Sequence, residues 1–214
     1  MRRHARFQSW IFLAGLLAAC APEPAVPVST QLIDVYASPA AQPWLSDLYA
    51  CAPSGSVLRV ASRPSEADLR LRLGEPDLFM GKAYQIGTEQ VLVVTHRQSP
   101  VQDLTATEVR DLFAGLGDPS LQIWVYASGE DVQQLFLRMV LGGHPVTSQA
   151  RLATSPQHMS DTIVNTPEAI GILPRRWKAG DVRVVYTLPD VPVLALVQAE
   201  PLGGIREILA CLQE

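Results

Sequence analysis

The sequence predicts an α/β fold with mainly parallel sheets, and two observations lead to this prediction. Short apolar runs typical of β-strands alternate along the chain with stretches whose apolar residues recur every three or four positions, as in amphipathic helices. About 180 residues follow a Pro-rich segment near the N-terminus, which is enough for one core or two small lobes. Strands that alternate with helices favour parallel pairing, and ligands of such folds bind at the carboxyl ends of the strands.

The first nineteen residues are predicted to be an export signal. Three arginines precede the apolar run 10–19, which is too short to span a bilayer permanently. The run ends in Leu17-Ala18-Ala19-Cys20, which resembles the lipobox of bacterial lipoproteins. This resemblance implies cleavage before Cys20, lipid on its thiol and a protein anchored to the outer side of a bacterial membrane. A plain cleaved signal with a chance cysteine is the alternative, and the Pro-rich residues 20–30 are predicted to form a stiff tether.

The charge of the chain argues against binding to nucleic acid. The leader holds three of the 17 basic residues and none of the 21 acidic ones, so its removal lowers the formal net charge from −4 to −7. An acidic chain with two lysines lacks the basic surface that phosphate backbones require.

Two cysteines remain once Cys20 carries lipid. Cys51 and Cys211 would both lie in an oxidising compartment, where paired thiols are usually oxidised. We therefore expect a disulfide between them, which would join the first predicted helix to the last.

Local signals place the elements before the centre of the chain. Strands are predicted over 32–37, 57–61, 67–73 and 90–95, and the last of these is apolar throughout, as in a strand buried on both faces. A helix is predicted to begin near Pro39 and to end at Cys51. A second helix covers 105–115, where Thr105 and Glu108 have the spacing of a capping box.

The stretch Leu121–Gly143 reads as strand, tight turn and helix, with Ser128 as the predicted N-cap. The free N–H groups and dipole of such a helix start suit a small anion. Plain capping competes with this interpretation, because Ser128 and Asp131 have capping-box spacing and Glu130 already supplies negative charge. Both interpretations stay open at the level of sequence.

The C-terminal third continues the alternation of strands and helices. Ser155-Pro156 is predicted to open a helix that ends before Thr166-Pro167. Strands are predicted over 169–173, 182–186 and 191–199, and a final amphipathic helix follows Gly203-Gly204.

Several short motifs recur in a recognisable order along these elements. They are Ala37-Ser38 after the first strand, Ala67-Asp68-Leu69 before Glu75-Pro76, Phe113-Ala114-Gly115, Ser128-Gly129 with Phe136, and Thr166-Pro167-Glu168-Ala169-Ile170-Gly171. In this order they resemble the phosphate-binding-protein branch of the type II periplasmic solute-binding proteins.

The resemblance implies two lobes around a cleft, formed by residues 31–95 plus 190–214 and by residues 96–189, with crossings near 95–98 and 187–192. It also implies a monomeric, membrane-anchored extracytoplasmic protein that binds a small anion such as phosphate. The protein would deliver that ligand to the membrane subunits of an ABC-type transporter.

The same resemblance indicates the ligand-binding residues. The candidates are Ser38, Arg63, Glu75, Ser128, Gly129 and Glu130. Ser38, Ser128 and Gly129 match family positions, whereas Glu130 stands where the family has threonine. The link 62–66 is too short for the helix that usually supplies a second hydroxyl, and Arg63 could partly substitute for it. Carboxylates near the cleft would repel a dianion.

No enzyme motif, cofactor motif or metal-ligand spacing is found in the sequence, and His96, His144 and His158 lie far apart. The chain is therefore predicted not to be an enzyme. The alternative function is a degenerate module of the same fold that acts as an envelope sensor or binds a protein. A cleft with unpaired donors would favour solute binding, whereas a cleft sealed by side chains such as Trp124, Tyr126 or Glu130 would favour the module.

Replacing Cys20 by Ser is expected to release the protein from membranes or leave its precursor unprocessed, because lipid attachment requires the thiol. Membrane fractionation and the mass of the mature N-terminus measure this outcome. A Cys20→Ser protein that is processed and membrane-bound like the wild type would show that the lipoprotein interpretation is wrong.

Overall fold

A computed structural model of the chain describes residues 30–214. The strands are β1 (Gln31–Ala37), β2 (Ser56–Val60), β3 (Leu69–Leu73), β4 (Lys82–Glu89), β5 (Val91–His96), β6 (Gln122–Val125), β7 (Arg151–Leu152), β8 (Ala169–Pro174), β9 (Val182–Thr187) and β10 (Val191–Val197). The helices are α1 (Leu45–Ala50), α2 (Ala106–Phe113), α3 (Asp131–Met139), α4 (Pro156–Asn165) and α5 (Gly203–Leu212). The predicted leader, Cys20 and the tether up to residue 29 lie outside the described residues.

The strands form two five-stranded sheets, one in each of two lobes. The first sheet has the order β2-β1-β3-β10-β4 and the second has the order β7-β6-β8-β5-β9. This two-lobed α/β fold confirms the predicted fold class. The sheets are mixed and not mainly parallel as predicted, because β10 runs antiparallel to β3 and β4, and β5 runs antiparallel to β8 and β9.

The first crossing between the lobes lies one strand earlier than the predicted 95–98. β5 belongs to the second sheet, so the chain crosses at Glu89 and Gln90. The prediction missed β4, which completes the first sheet, and therefore assigned β5 to the wrong lobe. The second crossing, between β9 and β10, lies within the predicted range 187–192.

Local capping signals determine where several helices begin. Thr105 and Glu108 form the predicted capping box at the start of α2, and the Ser155 hydroxyl accepts the His158 N–H at the start of α4. In β3 the three leucines are fully buried and Arg70 and Arg72 alternate with them on the opposite side. Among the helices of residues 30–214, none is both long and apolar enough to cross a membrane.

A disulfide joins Cys51, at the end of α1, to Cys211 in α5, which confirms the expected pairing. α5 packs against β1 and β4 of the first sheet and α1 packs against α5, so the bridge lies within the first lobe and fixes the C-terminus to it.

Replacing both cysteines by serine is expected to lower the stability of the first lobe. A closed loop of 160 residues raises the free energy of unfolding by up to about 5 kcal/mol in the chain-entropy model. Urea unfolding of the wild type and of Cys51→Ser/Cys211→Ser, each with and without reductant, measures the effect. Reductant should destabilise the wild type alone, and an unchanged midpoint in the double variant would contradict the prediction.

Candidate ligand-binding cleft

The cleft lies between the carboxyl ends of β1 and β3 in the first lobe and the N-terminus of α3 in the second. Ser38 directly follows β1. Leu73 ends β3 two residues beyond Leu71, the last position at which β3 pairs with β1. The backbone N–H of Leu73 is therefore free to donate across the cleft.

The carboxylate of Asp131, the first residue of α3, receives that N–H. Its Oδ2 accepts hydrogen bonds from the Ser38 hydroxyl at 2.6 Å and from the Leu73 N–H at 2.8 Å. Its Oδ1 accepts the N–H of Val132 at 2.8 Å. Asp131 is 4% exposed, and a charge so buried requires such partners. An internal carboxylate thus occupies the position where a helix N-terminus and Ser38 would hold a free anion.

The predicted N-cap, Ser128, does not cap α3, and that prediction is wrong. The helix begins at Asp131 with Glu130 as its N-cap. A turn closed by the Glu130 N–H and the Ala127 carbonyl comes first, so Ser128 is exposed. Ser128 lines a separate cavity of about 570 Å³ within the second lobe. Because the turn places the start of α3 at Asp131, three residues after Ser128, Asp131 is the residue that faces Ser38.

The two lobes contact each other on both sides of the cleft. On one side Arg176 of the second lobe pairs with Asp47 at 2.7 Å, and its guanidinium lies 3.6 Å from the centre of the Trp44 ring. On the other side Arg138 of α3 pairs with Asp77 at 3.1 Å. These contacts join the two lobes.

Next to Asp131 the lobes enclose a chamber of about 300 Å³. Arg70 and Arg72 of β3 both line it, but only Arg72 is paired, with Gln134 at 3.2 Å. The Nε and Nη2 atoms of Arg70 are buried and have no hydrogen-bond partner. The Phe79 ring lies 5.1 Å from the Arg70 guanidinium. Arg70 therefore presents two unsatisfied N–H groups in a confined, partly apolar space.

The opposite wall of the chamber is negative. Burial, and secondarily the charge of Asp131, raise the pKa of the Glu130 carboxyl. Burial also raises the pKa of the Tyr36 hydroxyl, and the charges of Glu130 and Asp131 add to that shift. The chamber thus has two guanidinium groups on one lobe and two carboxylates on the other.

Three of the predicted site residues, Ser38, Gly129 and Glu130, line the chamber. Arg63 lies outside it in an exposed ion pair with Glu66, and Glu75 is exposed. Sequence reasoning missed Arg70 and Asp131. The alternation in β3 identified Arg70 only as a residue on the half-exposed side of a strand. Within the described part of the chain, no group of three or more His, Cys, Asp or Glu side chains is placed to hold a metal.

No protein-family model and no curated protein matches the chain. Solved structures do match it. A protein described as a phosphate ABC transporter substrate-binding protein, with bound phosphate, from Clostridium perfringens is similar at a TM-score of 0.73 and 14% identity, over 85% of this chain and 93% of that one. An ABC-type phosphate transport receptor from Vibrio cholerae is similar at a TM-score of 0.62 and 12% identity, over 85% of this chain and 93% of that one. The reduced form of the regulatory domain of OxyR2 from Vibrio vulnificus is similar at a TM-score of 0.63 and 12% identity, over 86% of this chain and 94% of that one. At these identities the similarity establishes the fold, which binding and regulatory proteins share.

Replacing Asp131 by Ala is expected to lower the free energy of unfolding. The Ser38 hydroxyl and the Leu73 N–H would lose their acceptor inside the cleft, at about 1 to 3 kcal/mol for each unsatisfied group. Asp131→Asn keeps a carbonyl acceptor and should lose less. The control is Asp77→Ala, which breaks an exposed ion pair between the same lobes, worth about 0 to 1 kcal/mol. Equal losses for Asp131→Ala and Asp77→Ala in urea unfolding would contradict a stabilising role for the buried carboxylate.

Proposed function

We propose that this protein is an extracytoplasmic solute-binding protein, anchored to a bacterial membrane through lipid on Cys20, that takes a small anionic group into its interlobe chamber. In this proposal it acts as a monomer and delivers its solute to the membrane subunits of an ABC-type transporter. The two-lobed fold, the predicted leader and the names of the phosphate-transport proteins of similar fold support this proposal.

One observation carries the proposal, namely the two buried N–H groups of Arg70 that have no partner. Buried donors normally find an acceptor, and an unmet charged donor is costly. An anionic group in the chamber would accept both bonds in the paired geometry that a guanidinium favours. The unpaired donors support an anion site at Arg70, beside the position that Asp131 fills.

The sealed anion position favours a second candidate function. Asp131 already accepts the hydrogen bonds of Ser38 and Leu73, and further ion pairs join the lobes. A protein of this kind could serve as an envelope sensor or interaction module without a transported solute. The two candidates differ in whether any small anion binds.

Replacing Arg70 by Ala is expected to weaken binding of the preferred anion by roughly ten- to a hundredfold, because a charge-assisted hydrogen bond is worth about 1.5 to 3 kcal/mol. Thermal-shift screening of the purified full-length protein against phosphate, sulfate and small organic acids identifies that anion, because a ligand of the folded state raises its stability. Calorimetry then compares the variants.

The matched control for Arg70→Ala is Arg63→Ala, which removes an exposed arginine outside the chamber. Its affinity should equal that of the wild type. If neither an anion of the panel nor an amino acid binds the wild type at millimolar concentration, the solute-binding proposal fails and the interaction module is favoured. If binding survives Arg70→Ala unchanged, the site lies elsewhere.

A further inference from the structure

The interlobe chamber is lined by two arginines of β3, Arg70 and Arg72, and by two carboxylates at the start of α3, Glu130 and Asp131. Arg70 reaches it from β3 in the first lobe, and Glu130 reaches it from the N-cap of α3 in the second. Neither side chain forms an ion pair with any side chain of residues 30–214. The chamber is therefore bounded by a cation and an anion that have no ion-pair partner in the described part of the chain.

Among residues 30–214, no arginine, lysine or histidine forms an ion pair with Glu130. Burial is the main cause that raises the pKa of its carboxyl, and the neighbouring Asp131 is the second. Arg72, the other cation of the chamber, is already engaged with Gln134. A cationic group placed beside Glu130 would relieve the repulsion from Asp131 and replace lost hydration.

A ligand with a single charge can pair with only one of the two side chains, Arg70 or Glu130. A simple anion would accept from Arg70 but would also lie near the carboxylates of Glu130 and Asp131, which repel it in a medium of low dielectric. A simple cation would meet the guanidinium of Arg70 in the same way. A ligand with a carboxylate at one end and an ammonium at the other can pair with both Arg70 and Glu130, and it adds no net charge.

We propose that the chamber between Arg70 and Glu130 binds a small zwitterion, a molecule that carries both a carboxylate and an ammonium, as free amino acids do. This inference rests on the proposed solute-binding function and names the class of its ligand. The carboxylate accepts the two N–H groups of Arg70, and the ammonium donates to Glu130. The volume of about 300 Å³ is at the lower end of the range of roughly 300 to 1,000 Å³ for ligand pockets, so the ligand is small.

The apolar walls of the chamber suit the remainder of such a ligand. Leu196 and the Phe79 ring line the chamber beside Arg70. Leu78, at its edge, is 95% exposed, so the chamber opens to solvent on that side. The ligand can therefore bury a short apolar side chain between its two charged ends.

The test compares ligands that differ by one charged group. Amino acids are screened by thermal shift with the purified full-length protein. The best of them is then titrated calorimetrically beside its deaminated acid, its decarboxylated amine and inorganic phosphate. The zwitterion is expected to bind at least tenfold more tightly than each of the other three.

Two variants separate the two ends of the ligand. Glu130→Gln should weaken the zwitterion at least tenfold and leave the deaminated acid unchanged or tighter. Arg70→Ala should weaken the zwitterion and the acid alike. The matched control for Glu130→Gln is Glu207→Gln, which changes an exposed acid of α5 outside the chamber and should bind as the wild type does.

Glu130→Gln is not expected to lower the stability of the folded protein, so weaker binding by this variant would not be due to unfolding. Because the pKa of Glu130 is raised in the folded protein, the stability that depends on this group falls as the pH rises through that pKa. The variant removes this fall, so its thermal midpoint at neutral pH should be no lower than that of the wild type.

The outcomes distinguish this inference from the function on which it rests. If the deaminated acid or phosphate binds as tightly as every amino acid, and Glu130→Gln strengthens it, the ligand is a simple anion. The zwitterion inference is then wrong and the solute-binding proposal stands. If none of the probes binds, both fail.

Discussion

The hydrogen bonds of the Asp131 carboxylate connect the two lobes and determine how the cleft is built. Ser38 and Leu73 donate to the same oxygen from positions 93 and 58 residues away in the chain, and α3 adds the positive end of its dipole. A buried carboxylate is stable only with such donors, so the start of α3 and the approach of the lobes are coupled. A free anion at this point would have to displace the Asp131 carboxylate. Because that carboxylate is attached to the chain, it loses little translational and rotational entropy when it forms these bonds.

The shortness of the link between β2 and β3 accounts for the chamber beside this contact. Only a 3₁₀ turn, Pro64–Glu66, separates the two strands. No helix from this link covers the side of β3 that carries Arg70, and the segment that contains Phe79 covers it instead. An aromatic ring can lie against a guanidinium but cannot accept its N–H bonds in the plane of the group. The donors of Arg70 are therefore buried without being satisfied.

Local signals predicted most elements of the fold, and contacts distant in sequence explain the errors. Thr105 and Ser155 cap their helices as predicted, because a cap depends on residues three positions apart. β4 was missed because only Ile86 and Glu89 of its eight residues are buried, which leaves little alternation to detect. The apolar run of β5 could not reveal which sheet it joins. Asp131 could be recognised at a helix start, but its partners are set by tertiary structure.

The net charge of a solute in the chamber affects the contact that Asp131 makes between the lobes. Asp131 both joins the lobes and borders the chamber, so a solute there changes the electrostatic environment of the contact that holds the lobes together. A dianion would repel the Asp131 carboxylate and weaken its bonds to Ser38 and Leu73. A solute without net charge, with its positive end toward Glu130, would satisfy the chamber and leave those bonds intact. The Asp131 carboxylate therefore joins the two lobes, and its negative charge would disfavour a ligand of net negative charge in the chamber.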